Sequence, residues 1–192
     1  MKKKMLTALL GLFTVALWAQ DEDSKQPKGI EDRVHELRLD ALEALLIPTL
    51  EINYEYVLSR YSGVGAAVSF SFEGDDDVDY EQNWAITPFY RQYFFNKKEY
   101  GARGFFVEGM LQVAGGNESY EEVLFTPDGM GGNRFVDENW TNFGIGLALG
   151  QKWVSNNGFV FELSIGGGRY FIDDEFGPDA FARGGILVGY RF

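Results

Sequence analysis

The sequence predicts an all-β chain folded as an eight-stranded antiparallel up-and-down transmembrane β-barrel. Three observations predict it. Apolar residues alternate with small or polar ones through eight segments between residues 34 and 192, and side chains in a strand point alternately to opposite faces. The connections between those segments alternate between short and long. After residue 20 no apolar run approaches the ~18 residues that a spanning helix needs, so any membrane span must be built from strands.

The chain begins with a secretory pattern. Lys2, Lys3 and Lys4 precede an apolar stretch from Met5 to Trp18, and Ala19 offers a small residue at the cleavage point. Residues 1–19 are therefore read as a signal peptide. Residues 20–33 are charged and hold Pro27 and Gly29, which suits a flexible periplasmic lead-in. Residues 34–192 form the barrel domain.

The first segment, 34–41, sets Leu37, Leu39 and Ala41 against Glu36, Arg38 and Asp40. In the second, 49–58, Leu50, Ile52, Tyr54 and Tyr56 alternate with Glu51, Asn53 and Glu55. The third, 64–72, sets Val64, Val68, Phe70 and Phe72 against Gly65, Ala67, Ser69 and Ser71. The fourth, 84–95, sets Trp84, Ile86, Pro88, Tyr90 and Phe94 against Ala85, Thr87, Phe89, Arg91 and Tyr93, with Pro88 an awkward residue in a paired strand. Phe105, Val107, Leu111 and Val113 mark the fifth, 104–114, opposite Phe106, Glu108, Met110 and Gln112. The sixth, 140–154, sets Phe143, Ile145, Leu147 and Leu149 against Gly144, Gly146, Ala148 and Gly150. The seventh, 159–171, pairs Phe159, Phe161, Leu163 and Ile165 with Val160, Glu162, Ser164, Gly166 and Gly168. The eighth, 181–192, shows Ile186, Val188, Tyr190 and Phe192 on one face and Arg183, Gly185, Leu187, Gly189 and Arg191 on the other.

The connections 59–63, 96–103 and 155–158 are short, whereas 73–83, 115–139 and 172–180 are longer and acidic. With an even number of strands both termini fall on the short-turn side. That is the asymmetry of a barrel with short periplasmic turns and long outer loops. A soluble antiparallel barrel would turn its second face to water, and such a face is rich in Lys, Glu and Thr. Here that face is dominated by Gly, Ala and Ser, which fit the narrow interior of eight strands. Trp84, Phe94, Phe95, Trp140, Trp153, Tyr170, Phe171, Tyr190 and Phe192 gather near strand ends, as two interfacial girdles would.

The stretches ELRLDAL, EINYEYVL, AITPFYRQYFF, NNGFVFELSIGGGRYF and the terminal GYRF resemble the small outer-membrane β-barrel families of the OmpA transmembrane-domain or OmpX type. The likeness covers nearly all of 34–192. It implies a Gram-negative outer membrane with both termini periplasmic, contact with outer-membrane lipid and lipopolysaccharide, and a last strand read by the barrel-assembly machinery. Ile186, Val188, Tyr190 and Phe192 would be that insertion signal.

Composition narrows the activity. The net charge of −12 excludes a nucleic-acid binder driven by phosphate contacts. With no cysteine there is no disulfide, thiolate metal site or thiol nucleophile. His35 is the single histidine, so a His-based metal site lacks a second ligand, and a rim position without a role is expected. Asp75, Asp76, Asp77, Asp79 and Glu81 could attract a divalent cation weakly, but Tyr80 and Ile86 stand where a calcium loop needs Gly and Glu. No cofactor motif is present: Gly144-x-Gly146 and Gly129-Met130-Gly131-Gly132 do not open a helix within a βαβ unit.

The remaining constellation is internal. Glu36, Arg38, Glu55, Arg91, Glu108 and Glu162 all share the inward parity. Counted from the end that holds the termini, they fall within about one layer. Unpaired charges there would be costly, so Arg38 and Arg91 should each bridge carboxylates. Four glutamates against two arginines leaves protonation or water to make up the balance, with Arg191 near enough to help. The expected function is a non-enzymatic outer-membrane barrel with a side-chain-filled polar interior and acidic outer loops, in a structural or surface-interaction role. The alternatives are a narrow pore or small-ligand carrier, and a secreted soluble lipocalin-like barrel.

Overall fold

The computed structural model describes residues 29–42, 49–72, 82–95, 101–124, 132–172 and 177–192, with backbone alone at 118–124 and at 133, 135 and 137. Eight strands form a closed barrel in sequence order: β1 (His35–Asp40), β2 (Thr49–Val57), β3 (Ser62–Ser71), β4 (Gln82–Phe94), β5 (Gly104–Leu124), β6 (Gly132–Val154), β7 (Phe159–Tyr170) and β8 (Ala180–Arg191). Every neighbouring pair is antiparallel, and β1 pairs with β8 to close the ring. At that seam Phe192 N donates to His35 O at 2.8 Å and His35 N to Phe192 O at 3.2 Å. The chain ends and the β2–β3, β4–β5 and β6–β7 connections share one end, called the terminal end below.

Alternation decides which face is which. Glu36, Arg38 and Asp40 on β1 and Glu51, Asn53 and Glu55 on β2 are buried, as are Phe89, Arg91 and Tyr93 on β4. Their strand neighbours Leu37, Tyr54, Tyr56, Ile86, Tyr90 and Phe94 are exposed. On β6 and β7, Leu147 is 67% and Ile165 76% exposed. The barrel is thus apolar outside and charged inside, the inverse of a water-soluble barrel.

Three features differ from the sequence expectation, and one awkward residue fits it. β5 and β6 continue past 114 and start before 140, with Gly116 opposite Trp140, Tyr120 opposite Val136 and Leu124 opposite Gly132. The long acidic connection is therefore mostly a two-stranded ribbon, because its two halves meet in one continuous antiparallel register. Trp140 and Tyr170 belong to no girdle: both are buried, since each shares the inward parity of the glycines on its own strand. Pro88 lies inside β4 as the alternation placed it, opposite Ala66 of β3; on the β5 side, pairing stops after Ile86 and resumes at Phe89 in the same register. A proline without an N–H can be carried where one ladder bond is skipped. Finally, the lead-in is not wholly irregular: Ile30–Asp32 forms a 3₁₀ turn, and Ile30 packs with Val154 and Val160. The signal peptide at 1–19 and the acidic cluster Asp75, Asp76, Asp77, Asp79 and Glu81 lie outside the described residues.

The interior divides along the barrel axis. At the terminal end Val34 packs on Val57, Tyr93, Ala102 and Phe106. A layer of ionised side chains follows. Beyond it, toward the other end, Phe89, Met110, Trp140, Tyr170 and Phe181 pack with Ala85, Ala114 and Ala148. This upper half is aromatic, so the interior is polar only in part.

Candidate functional site

The ionised layer takes one or two side chains from each of seven strands. Where a strand contributes two positions, they lie an even number of residues apart, Glu36 and Arg38 on β1, Glu51 and Glu55 on β2, Arg183 and Arg191 on β8, so both share the inward face. Arg38 Nη2 donates to Glu55 Oε2 at 2.8 Å, and Nη1 donates to Glu162 Oε2. Arg91 Nη1 donates to Glu55 Oε2 at 3.0 Å and Glu162 Oε2 at 2.8 Å, while its Nε reaches Glu108 Oε2. All six residues marked from the sequence therefore meet: Glu36 lies 3.9 Å from Arg38 Nη1 and is almost fully enclosed like the others.

Three further cations and one further carboxylate complete the layer. Lys152 Nζ donates to Glu36 Oε2 at 2.9 Å and Glu55 Oε1 at 3.0 Å. Arg191 Nε donates to Glu36 Oε1 at 2.6 Å, and its two Nη atoms donate to Gly101 O and Ala102 O, each at 2.8 Å. Arg183 reaches Glu108 Oε1, Asn53 Oδ1 at 2.7 Å and Glu51 Oε1 at 3.2 Å. Glu36, Glu51, Glu55, Glu108 and Glu162 thus face Arg38, Arg91, Lys152, Arg183 and Arg191, equal numbers of each sign. The imbalance expected from four glutamates and two arginines does not arise.

Sequence reading overlooked Lys152, Arg183 and Glu51 as members of this layer. Lys152 shares parity with Ala148 and Gly150, and its place near the terminal end of β6 was the available signal. Arg183 and Glu51 sit farther along their strands, and no count of height along separate strands would join them. Strand tilt and shear bring them level with Glu108.

Aromatic rings bound the charges. The Arg91 guanidinium lies 4.5 Å from the Phe89 ring and 4.3 Å from that of Phe106, and Lys152 Nζ lies 4.7 Å from the Tyr93 ring. Cations on ring faces gain from the ring quadrupole, most where water is excluded. Tyr93 also donates its hydroxyl to Glu55 Oε1 at 2.6 Å. Buried Arg38 Nε, Arg183 Nε and Glu162 Oε1 make no hydrogen bond.

The terminal strand places Ile186, Val188 and Tyr190 on the outer face, with Leu39 opposite Val188 and Leu37 opposite Tyr190. Phe192 closes the seam at the rim, 5.9 Å from the His35 ring with 20° between planes. His35 sits outside as well: its Nδ1 is 2.8 Å from Tyr54 Oη. Among the described residues no group of three or more His, Cys, Asp or Glu is arranged to hold a metal ion.

No protein-family model matches the chain, and no curated protein is significantly similar to it. Among solved structures, the N-terminal β-barrel domain of Pseudomonas aeruginosa OprF is similar at 13% identity over 86% of this chain and 100% of that one, with a TM-score of 0.38. The barrel architecture rests on the strand ladders themselves.

Proposed function

We propose that the chain is a non-enzymatic outer-membrane barrel of a Gram-negative bacterium, sealed along its axis and acting in a structural or surface-interaction role. One observation carries this reading: a continuous wall of apolar side chains faces outward around the barrel while the ionised layer is enclosed. Leu37, Val64, Ile86, Leu111, Ile145, Leu147, Leu149, Leu163 and Ile165 stand exposed on the wall. An apolar surface this extensive marks contact with lipid or with protein. Tyr54, Tyr56, Tyr90, Phe94, Trp153, Phe159 and Tyr190 cluster toward the terminal end, and Phe70, Phe72, Phe143 and Phe171 toward the other, as aromatic girdles do. A soluble lipocalin-like barrel would need the opposite arrangement.

The terminal end is assigned to the periplasm, because short turns gather there. Lipid and lipopolysaccharide would surround the wall, and weak divalent-cation binding is assigned to the acidic segment around Asp77. Ile186, Val188, Tyr190 and Phe192 would be the strand end that the assembly machinery reads. The narrow-pore reading keeps a single supporting feature, the charged layer on the axis; the enclosure of Arg38, Arg91 and Lys152 favours filling over conduction.

Membrane fractionation tests the reading. Full-length protein should appear folded in the outer membrane, with a heat-modifiable gel mobility, and deletion of Phe192 should lower that folded amount without reducing export. Recovery in the soluble periplasmic fraction would reject it. Regular conductance steps of the parent protein in planar bilayers would replace the sealed barrel with the pore.

A further inference from the structure

The terminal-end mouth is covered from two sides. On one side lie Gly101 and Ala102, just ahead of β5, whose carbonyls accept from Arg191, and Ala102 N donates to Arg60 O at 3.1 Å. On the other lies a strap formed by residues 29–33, ahead of β1. Its 3₁₀ turn is closed by Asp32 N donating to Gly29 O at 3.1 Å. Ile30 is buried against Val154 and Val160, both of which carry the inward parity of Lys152 and Glu162. Arg33 ties the strap down: its Nη1 donates to Asn157 O at 3.0 Å and to Tyr190 Oη at 2.9 Å, and its guanidinium lies 5.8 Å from the Tyr190 ring.

The two covers are held very differently. Gly101 and Ala102 are fastened to the ionised layer through Arg191, which in turn is bound to Glu36. The strap is held through Ile30 and through Arg33, whose bonds to Asn157 O and Tyr190 Oη are exposed and whose 3.4 Å bond to Arg191 O is part-buried. Next along the inner face from Val154 and Val160 come Lys152 and Glu162, both fully buried. Local opening begins where buried contacts are fewest and backbone is most exposed.

We propose that residues 29–33 are a displaceable stopper, and that its undocking, with the wall and the ion pairs intact, admits water and small solutes to the charged layer from the terminal end. This goes beyond the sealed-barrel reading, and its test, made in detergent micelles, does not depend on which membrane holds the barrel.

The chain has no cysteine, so one introduced thiol reports accessibility cleanly. Val160→Cys lies beneath the strap; Asn157→Cys is the exposed reference; Tyr170→Cys reports the opposite half of the interior. Each would be placed in the full chain with the parent strap, with Ile30→Ala and with Arg33→Ala, and its reaction with a small cationic thiosulfonate timed. The expected result is slow modification of Val160→Cys in the parent and a rise of roughly ten-fold or more in each strap variant, with Tyr170→Cys unchanged. Equal rates at Val160→Cys in all three backgrounds would overturn the proposal, whether uniformly fast or uniformly slow. So would a parallel rise at Tyr170→Cys, which would mean that the whole barrel had loosened. Both strap changes lie outside the strands, and each serves as the check if the other fails to fold.

Discussion

The two halves of the barrel interior solve one problem with opposite chemistry. An eight-stranded ring is too narrow to remain empty. Near the terminal end it is filled by five carboxylates and five cations, each enclosed by its partners. Beyond them it is filled by rings laid over glycine: a Cβ at Gly144, Gly146 or Gly168 would strike Phe181, and one at Gly65 would strike Phe89. The ionised half gains little net stability, because desolvation offsets most of the attraction, yet it is costly to break. The aromatic half gains from burial and ring contacts, and damage to it leaves a void rather than a stranded charge. Arg183 joins the halves: it binds Glu108, Glu51 and Asn53, and its guanidinium lies 5.6 Å from the Phe89 ring.

This contrast predicts different penalties. The largest is expected from Arg91→Ala, which removes the shared partner of Glu55, Glu108 and Glu162. Breaking such a buried arrangement costs about 3–5 kcal/mol, to be read as a lowered midpoint in denaturant titration of the folded protein in micelles. A midpoint within error of the parent would mean that the layer is hydrated. Phe181→Ala comes next, at about 3 kcal/mol, the lower end of the range for a buried ring. Its loss should be the same at low and high salt. A salt-sensitive loss would place the effect in the ionised half and blur the division.

Much of this was legible in the sequence because period two needs no tertiary information. Parity alone separates Glu36 from Leu37 and Arg91 from Tyr90. Position along the axis is less legible. Arg183 and Glu51 escape sequence reading because shear, which a single strand does not encode, sets their heights, whereas Lys152 carried both parity and height as signals. Trp140 and Tyr170 were misplaced because nearness to a strand end was weighed above parity. The length of β5 and β6 was missed because charge in that stretch reads as loop until the two halves are set in register. Ile30 gave no periodic signal at all; only its burial against Val154 and Val160 reveals the strap.

The smallest effects are expected at glycines, where the comparison can be made with a single methyl group. Gly146 faces the interior, and a Cβ there would lie 2.7 Å from Gly167 O and 2.9 Å from Phe181 Cζ. One of these is backbone, so the strand itself would have to move. Gly146→Ala should therefore cost about 1–3 kcal/mol, as overpacking does. Gly109 lies on the outer wall of β5, opposite Tyr90 and Leu147, and a Cβ there meets nothing within 4 Å. With no contact to disturb, restricting the unfolded chain dominates, and Gly109→Ala should stabilise by about 0.4–1 kcal/mol. The two changes are chemically identical and sit on neighbouring strands, so opposite signs in the same denaturant titration would isolate the inner and outer faces. Equal signs would show that the close approach of Phe181 to Gly146 does not limit packing, and the account of rings seated on glycine would fail.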